Sequence, residues 1–540
     1  MENITSFKNK TKSLIDDLKS VCANYGLGND GNEFKIITQI FLYKYLNDKF
    51  IYEIKKLDKK LSNSENLEKA IKELNKKEYD ILLMQLNENV ARLKPEQFIS
   101  SLFERQNEPN FSKIFDNNLL DISNENRGIF SVLTSSGEKI VLFENISKYV
   151  SDKRDEFCVA IINKLINFSF ENIFEESFDF YSSIFEYLIK DYNINSGSTY
   201  AEYFTPHAVS KVMASCLVDE KVNNVTCYDP SAGSGTLLMN IAQAIGVNKC
   251  TIYSQDISQK SSQLLRLNLI LNNLVHSMLN IVQGNTILEP FHKQSKGGLK
   301  KFDYIVSNPP FKLDFSDYRD ALDTKENHDR FFAGIPKIPP KDKKKMAIYL
   351  LFFQHIIKSI SEKGKAAIVV PTGFLTSKSI GKKIREHLIN FKMLRGVISM
   401  PKDIFADTGT NVSIIFFDNN NNTDAILINA SNLGKIVKLG KNQKTLLSKD
   451  DEELIINTFK TSKKIDNFSV KVSYEQVIKK RYSFSAGQYF DVKVDHTDIS
   501  SQEFDTKINN FKKDLENFFK DSKEYEKKIP EEFNKIKYEN

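Results

Sequence analysis

Apolar residues in the first 165 positions recur at the three- and four-residue spacing of helices. Phe34, Ile37 and Phe41 follow this spacing, and residues 65–86 are rich in Leu, Lys and Glu with few helix breakers. The pattern predicts a helical N-terminal domain over residues 1–165.

From Val225 the pattern changes to short β-prone runs that alternate with amphipathic helices. The predicted strands are Val225–Tyr228, Thr251–Ser254, Tyr304–Val306, Ala366–Val370 and Leu394–Ile398. The predicted helices between them lie near residues 236–245, 259–272, 346–360 and 378–388. This alternation predicts an α/β fold, with a mostly parallel sheet covered by helices on both faces. Val412–Phe417 and Ala425–Ile428 are predicted as later strands, some of them antiparallel.

The end of the chain has a third pattern. Ile508, Phe511, Leu515, Phe518, Tyr525 and Ile529 form a heptad-like apolar seam that is interrupted at Ser522. Such a helix pairs either with another chain or with the N-terminal domain. We therefore predict four parts: the helical domain (1–165), an α/β domain (166–430), a connector or extension (431–500) and a C-terminal amphipathic helix (501–540).

Composition narrows the class of protein without selecting one. The 540 residues carry a net charge of +6, which permits nucleic-acid binding but does not argue for it. No apolar run approaches the ~18 residues of a membrane span, and the N-terminus lacks the pattern of a signal peptide. The five scattered cysteines indicate neither a disulfide framework nor a zinc site. We expect a cytoplasmic protein with no metal and no membrane contact.

A turn of small residues follows the first predicted strand of the α/β domain. The segment reads Asp229-Pro230-Ser231-Ala232-Gly233-Ser234-Gly235 and leads into a predicted helix. Small residues let the backbone turn sharply and approach a ligand closely. Only two of the three glycines of a dinucleotide loop are present, so pyrophosphate binding is disfavoured. Asp229 suits a ligand ammonium and Asp256 suits ribose hydroxyls; the alternative is an ordinary glycine turn with a surface aspartate.

Asn308-Pro309-Pro310-Phe311 follows another predicted strand. Two prolines fix their own backbone angles and cannot donate to a sheet, so they hold Asn308 on a rigid corner. An amide oxygen and a neighbouring carbonyl there can accept both hydrogens of an aromatic amine, and Phe311 offers a face on which a flat base stacks. The alternative is a plain proline turn.

With these motifs in this order, the sequence resembles the amino-methyltransferases of the gamma motif order. Among these it resembles the modification (M) subunits of type I restriction–modification systems, from about Gly31 to Gln488. The most specific matches are Ala201–Pro206, Asp229–Gly235, Phe302–Phe311, Lys365–Pro371 and the segment from Met400 to Gly409.

The resemblance implies a Rossmann-like class I methyltransferase domain that uses S-adenosyl-L-methionine. It implies a cofactor site made by Glu202, Tyr203, Phe204, Thr205, Pro206, Asp229, Ser231, Gly233, Gly235, Thr236, Asp256 and Asn285. Within this site Thr205 would touch the cofactor's carboxylate, Asp256 its ribose and Asn285 its adenine amine. The target adenine would be received by Asn308, Pro309, Pro310 and Phe311, with Phe405 stacking on its other face.

Three positions depart from the family pattern. Asn285 stands where the family usually has Asp, Tyr203-Phe204 inverts the usual order of the two aromatic residues, and Ala201 replaces a common glycine. An amide oxygen at position 285 still accepts a hydrogen bond from an amine, but more weakly than a carboxylate does.

The function that the resemblance implies is methylation of N6 of a flipped adenine in DNA. The implied partners are double-stranded DNA, a specificity subunit, a second copy of this chain and, in some systems, a restriction subunit. The alternatives are a stand-alone adenine methyltransferase of DNA or RNA, a methyltransferase of a protein glutamine amide, and a non-catalytic cofactor-binding scaffold. Residues 312–345 are either a DNA or partner contact or a solvated run of charge.

Overall fold

The computed structural model describes residues 2–28, 30–171, 174, 184–185, 187–188, 205–405, 410–419, 421, 423–439, 442–490 and 500–534. The chain forms two compact units, Met1–Tyr489 and Phe490–Asn540. The boundaries at 165 and 430 inside the larger unit stay predictions.

The larger unit is organised around one twisted sheet of mixed direction. Its strands are β1 (Val132–Thr134), β2 (Lys139–Ile140), β3 (Val225–Asp229), β4 (Cys250–Asp256), β5 (Ile281–Gln283), β6 (Phe302–Ser307), β7 (Ile360–Pro371), β8 (Leu394–Ser399), β9 (Val412–Asp418), β10 (Ala425–Asn429) and β13 (Ser469–Val472). A separate two-stranded hairpin is formed by β11 (Lys435–Leu439) and β12 (Asn442–Leu446).

Strand order in the sheet is β13-β10-β8-β9-β7-β6-β3-β4-β5-β1-β2. Within it β9 is antiparallel to both of its neighbours, β2 is antiparallel to β1, and β13 is antiparallel to β10. The other pairs are parallel. The carboxyl ends of β3, β4, β6, β8 and β10 therefore lie on the same edge of the sheet.

Helices cover the sheet and build the N-terminal part of the chain. They are α1 (Glu2–Asn24), α2 (Glu33–Leu57), α3 (Lys59–Ser62), α4 (Leu67–Lys72), α5 (Lys76–Gln85), α6 (Ile99–Glu104), α7 (Phe111–Glu125), α8 (Arg127–Phe130), α9 (Arg154–Ile166), α10 (His207–Leu217), α11 (Thr236–Ile245), α12 (Gln259–Leu271), α13 (Arg319–Leu322), α14 (Tyr349–Ser359), α15 (Ile380–Asn390), α16 (Lys449–Thr461), α17 (Tyr474–Lys479) and α18 (Ser501–Phe533).

The predicted α/β pattern is confirmed, because every strand predicted from residue 225 onward is present, although β7 begins at Ile360, well before its expected start at Ala366. The central strands are buried on both faces, as Ala366–Val370 of β7 shows with five consecutive fully buried residues. Continuous apolar runs of this kind are typical of strands sandwiched between helix layers.

The N-terminal region is helical as predicted, but it also contributes a hairpin to the main sheet. Leu133 and Thr134 of β1 pair in parallel with Val282 and Gln283 of β5, and β2 closes that edge of the sheet. Arg266 of α12, which is buried, donates to the carbonyls of Val141 and Leu142 just after the hairpin. The N-terminal part therefore docks directly on the α/β sheet.

Residues 312–345 pack against neighbouring elements through their apolar side chains. Phe315, Leu322 and Phe331 are buried together with Met346 and Ile348 in a second core cluster. The lysines of the segment are exposed, as the alternative of a solvated run of charge predicts: Lys337, Lys341, Lys343, Lys344 and Lys345. A DNA or partner contact through them stays a prediction.

The smaller unit contains α18. Ser500 and Glu503 form a capping box that satisfies backbone donors at its N-terminus. The helix has no buried residue, and Phe511, Leu515 and Phe518 on its seam are 65%, 57% and 69% exposed. Taking all the helices that the structure describes, none combines the length and the hydropathy required to cross a membrane.

Candidate functional site

A cleft opens at the edge of the sheet where strand order reverses. From β3 the chain moves to β4 and β5 on one side of the sheet, and then to β6 and β7 on the other. Loops at such a reversal diverge and leave a crevice outside the carboxyl ends of the strands. The cleft measures about 830 Å³, counting the space open to solvent at its mouth. That size suits a small-molecule ligand.

The loop after β3 makes the floor of this cleft. Gly233 and Gly235 have φ angles of +53° and +82°, a region that residues with side chains rarely adopt. A Cβ on Gly235 would also lie 2.2 Å from Cδ1 of Leu265. The two glycines therefore let the chain turn tightly from β3 into α11.

Two buried carboxylates end the neighbouring strands β3 and β4 beside this loop: Asp229 and Asp256. The N–H of Ser231 donates to Oδ1 of Asp229 (2.9 Å), and the N–H of Gly233 donates to Oδ2 of Asp256 (2.9 Å). Oδ1 of Asp256 also accepts from the N–H of Ser258 (2.8 Å). Each acid therefore fixes the backbone around the turn as well as lining the cleft.

Burial makes both acids hard to ionise. Burial, reinforced by the charge of Asp256, raises the pKa of Asp229 to about 8, and hydrogen bonds from Ser231 oppose this shift only in part. Burial also raises the pKa of Asp256, against hydrogen bonds from the N–H groups of Ser258 and Gly233. A ligand that brings a cation and hydroxyl donors to this pair would stabilise their charged forms.

The corner after β6 lies at the other wall of the cleft. Nδ2 of Asn308 donates to Oγ1 of the buried Thr205 (3.2 Å). This bond holds the amide nitrogen, so the amide oxygen is left as an acceptor on the opposite side of the group. Pro309 is buried and Pro310 is half-buried, so the corner is anchored in the fold while Asn308 borders the cleft.

Two half-buried aromatic residues stand near this edge of the sheet. The ring of Phe311 packs edge-on against the ring of Tyr349, with centroids 6.4 Å apart. Phe405 follows β8, whose carboxyl end is three strand spacings from that of β6, or roughly 14 Å. Both rings contact the main core. Neither borders the cleft itself.

The predicted residues divide into three groups by position. Those that line the cleft are Thr205, Asp229, Ser231, Asp256, Asn285, Asn308 and Pro310. Those that lie in the supporting turns are Pro206, Gly233, Gly235, Thr236, Pro309, Phe311 and Phe405. Glu202, Tyr203 and Phe204 lie outside the described residues.

Asn285 is engaged within the protein. Its Oδ1 accepts from the N–H groups of Ile287 and Leu288, both at 3.1 Å. Its side chain also forms a hydrogen bond with Tyr318. Burial raises the pKa of Tyr318, and the hydrogen bond with Asn285 opposes this shift only in part. Asn285 thus shapes the cleft wall, and Tyr318 becomes a candidate ligand contact beside it.

Sequence reasoning missed the apolar part of the cleft. Leu313 and Tyr318 come from the segment after the corner, and Ile257, Ile287, Ile348 and Phe352 complete the wall. The sequence does carry a signal for this segment, because a solvated run of charge would lack its spaced apolar residues. Among them are Phe315, Leu322 and Phe331.

Arg330 connects this segment to the wall of the cleft by hydrogen bonds. It is 6% exposed and donates to the carbonyls of Thr286 and Ile287, each at 2.7 Å. Its Nε lies 3.1 Å from Nδ1 of His355, whose Nε2 lies 3.1 Å from the hydroxyl of Tyr228. Burial and the charge of Arg330 lower the pKa of His355, so the neutral ring accepts at Nδ1 and donates from Nε2. The network joins the wall at Thr286 and Ile287 to the floor of the cleft, because Tyr228 immediately precedes Asp229.

This sheet and cleft define a class of protein. The consecutive strands β5-β4-β3-β6-β7-β9-β8, with only β9 antiparallel, give the fold of class I methyltransferases. The chain belongs to the N-6 DNA methylase family, whose model matches residues 176–498.

This chain is similar in sequence to methylase subunits of type I restriction enzymes. The type I restriction enzyme MpnII methylase subunit of Mycoplasma pneumoniae is 25% identical over 66% of this chain and 64% of its own length, slightly under two thirds of that relative. The MjaVIII methylase subunit of Methanocaldococcus jannaschii is 25% identical over 88% of this chain and 78% of its own.

A solved structure shows the shared fold. The type I restriction-modification system methyltransferase subunit from Streptococcus thermophilus superposes with a TM-score of 0.71 at 21% identity. The match covers 90% of this chain and 100% of that chain.

Proposed function

We propose that this protein transfers a methyl group from S-adenosylmethionine to N6 of adenine in DNA. The observation that carries the proposal is the placement of the Asn308 corner on the wall of a cleft whose floor holds two buried acids. Family membership supports the same reaction.

The cleft residues fit the cofactor. Asp229 and Asp256 are acceptors for an ammonium and for ribose hydroxyls, and both are buried at the turn of small residues. The apolar wall, with Ile287, Leu313 and Tyr318, suits a flat base. When bound, S-adenosylmethionine supplies a methyl group on a positively charged sulfur.

The protein's part in the reaction is alignment and electrostatics. Thr205 fixes the amide of Asn308, so its oxygen is oriented to accept a hydrogen from the exocyclic amine. A neighbouring backbone carbonyl accepts the second hydrogen, which localises the nitrogen lone pair for attack. Phe311 and Phe405 provide aromatic faces for an adenine that has left the base stack. Preorganised acceptors of this kind accelerate a step without reorganising during it.

We place this activity in a modification subunit of a type I complex, where a separate specificity subunit selects the DNA sequence. The support is the kinship with type I methylase subunits and the exposed apolar seam of α18, which suits pairing with another helix. A second copy of this chain and a restriction subunit complete the proposed assembly.

Replacing Asn308 tests the reaction. We expect Asn308→Ala to lower methyl transfer to DNA by roughly 100-fold or more, because it removes an acceptor that acts in the transition state. Calorimetry should show S-adenosylmethionine binding within a few-fold of the unsubstituted protein. The exposed Asn107, changed to Ala, is the matched control and should retain full activity. Undiminished transfer by Asn308→Ala would refute the catalytic assignment.

A further inference from the structure

The β11–β12 hairpin concentrates positive charge outside the main sheet. Its strands pair only with each other among the described strands. Residues 433–447 contain four lysines and no Asp or Glu, whereas the whole chain of 540 residues has a net charge of only +6. The net positive charge per residue in the hairpin is therefore far above the average for the whole chain.

The charges of the hairpin are available to a partner. Lys435 and Lys438 are exposed and Lys444 is half-buried. In the part of the chain that the structure describes, none of these three lysines enters an ion pair. Other lysines near the sheet are engaged, as Lys365 is with Asp219 and Glu220. An unneutralised cluster of this kind favours an anionic partner.

The hairpin is held firmly at its base. Leu433 and Leu447, which flank the two strands, pack against the main core. Thr445 is buried, and its N–H donates to the carbonyl of Asp403 at 2.9 Å. Asp403 lies two residues before Phe405, so the hairpin is joined directly to the loop that carries this aromatic residue.

Strand direction places the hairpin on the same edge of the sheet as the catalytic corner. It follows the carboxyl end of β10, which is parallel to β8 and, across β9 and β7, to β6. The ends of β10 and β6 are four strand spacings apart, or roughly 19 Å. That distance corresponds to about five or six nucleotides along one DNA strand.

We propose that the β11–β12 hairpin binds the phosphate backbone of duplex DNA beside the adenine that enters the catalytic corner. The inference rests on the proposed function, which brings DNA to this edge. Lysine binds phosphate as a point charge, so the contact positions DNA without reading its sequence. The strand register places Lys435 and Lys444 on one face of the hairpin and Lys438 on the other. This role is compatible with sequence selection by a separate subunit.

The test is the salt dependence of DNA binding by the full chain. The triple variant Lys435→Gln, Lys438→Gln and Lys444→Gln is compared with the unsubstituted chain on a 40-base-pair duplex of mixed sequence, between about 50 and 200 mM salt. The slope of log K against log salt is negative, and each lost phosphate contact reduces its magnitude by ~0.9. We therefore expect the magnitude of the slope to be smaller by about 2 to 3 in the triple variant. We also expect affinity at the lowest salt to fall on the order of tenfold or more.

A matched control removes the same charge elsewhere. Lys76, Lys77 and Lys113 are exposed on the N-terminal helices, and their replacement by Gln should leave the slope nearly unchanged. Equal slopes for the hairpin variant and the unsubstituted chain, or an equal loss in the control, would overturn the proposal. So would an absence of duplex binding by the unsubstituted chain at the lowest salt.

Methyl transfer by the same proteins, each supplemented with the proposed specificity subunit, separates the two proposals. We expect the hairpin variant to raise KM for DNA and keep kcat, with unchanged binding of S-adenosylmethionine. Normal transfer with an unaltered KM would refute the hairpin contact and leave the proposed reaction standing. Lysine-dependent DNA binding without any methyl transfer would refute the reaction and leave the contact standing.

Discussion

At the scale of the residue, Asp229 shows how a binding site lowers the stability of the fold that carries it. Its carboxyl is 1% exposed and its pKa is raised to about 8 by burial, with Asp256 nearby. The unfolded chain loses this proton near pH 4, whereas the folded chain holds it to about pH 8. Folding takes up a proton between these values, so the stability contributed by this group falls as pH rises from about 4 to about 8.

Replacing this acid should separate stability from binding. Asn at position 229 keeps an acceptor for the N–H of Ser231 and carries no charge. We expect the difference in melting temperature, Asp229→Asn minus the unsubstituted protein, to become more positive from pH 5 to pH 9. The measurement is thermal unfolding without ligand. Affinity for S-adenosylmethionine should fall roughly tenfold to 100-fold, because a charged hydrogen bond is lost. A pH-independent difference in melting temperature would show that Asp229 ionises normally in the folded chain.

At the scale of the element, the segment from residue 312 to 345 closes the cleft that the sheet opens. Leu313 and Tyr318 border the cleft, while Phe315 and Phe331 bury the segment against α14 and its neighbours. Arg330 fixes the carbonyls of Thr286 and Ile287 within the same wall. The segment is therefore part of the ligand site as well as a connection between elements.

Arg330 offers a direct test of this wall. Arg330→Met leaves two buried carbonyls without donors, each at a cost of about 1 to 3 kcal/mol. We expect a lower melting temperature and at least a roughly tenfold loss of affinity for S-adenosylmethionine by calorimetry. Arg319, whose ion pairs with Asp320 and Asp323 lie at the surface of the same segment, is the control, and Arg319→Met should have little effect. Equal effects of the two substitutions would contradict a special role for Arg330.

The sequence predicts the central elements well because each has a strong local pattern. The strand and turn at Val225–Gly235 and the strand and corner at Phe302–Phe311 combine an apolar run with small residues or prolines. The β1–β2 hairpin was missed because strands of three and two residues have too little periodicity to detect. The partners of Asn285 could not be predicted, because Tyr318 reaches it only through tertiary packing. The roles assigned to individual cofactor contacts stay predictions.

At the scale of the whole molecule, the smaller unit carries a row of apolar side chains along its own helix. Phe511 and Phe518 occupy equivalent positions one heptad apart on α18, both more than 60% exposed. Exposed aromatic rows on a capped helix favour assembly with another helix. The seam is therefore a candidate surface for the helix pairing that we propose.

Substitutions on the seam test this assembly. We expect Phe511→Glu with Phe518→Glu to abolish co-purification of the full chain with the proposed specificity subunit, while the fold, measured by circular dichroism, is unchanged. Asn510→Glu with Asn517→Glu adds the same charge one position away from the seam and should leave association intact. Retained association in the first variant would exclude the seam as the contact.

The most direct test of the proposed reaction is the identity of the methylated base. Nucleosides from DNA incubated with the purified protein, the proposed specificity subunit and S-adenosylmethionine can be resolved by mass spectrometry. We expect N6-methyldeoxyadenosine as the product, and none of it with the Asn308→Ala variant. A product methylated on cytosine, or adenine methylation that persists in the variant, would contradict the role of the Asn308 corner.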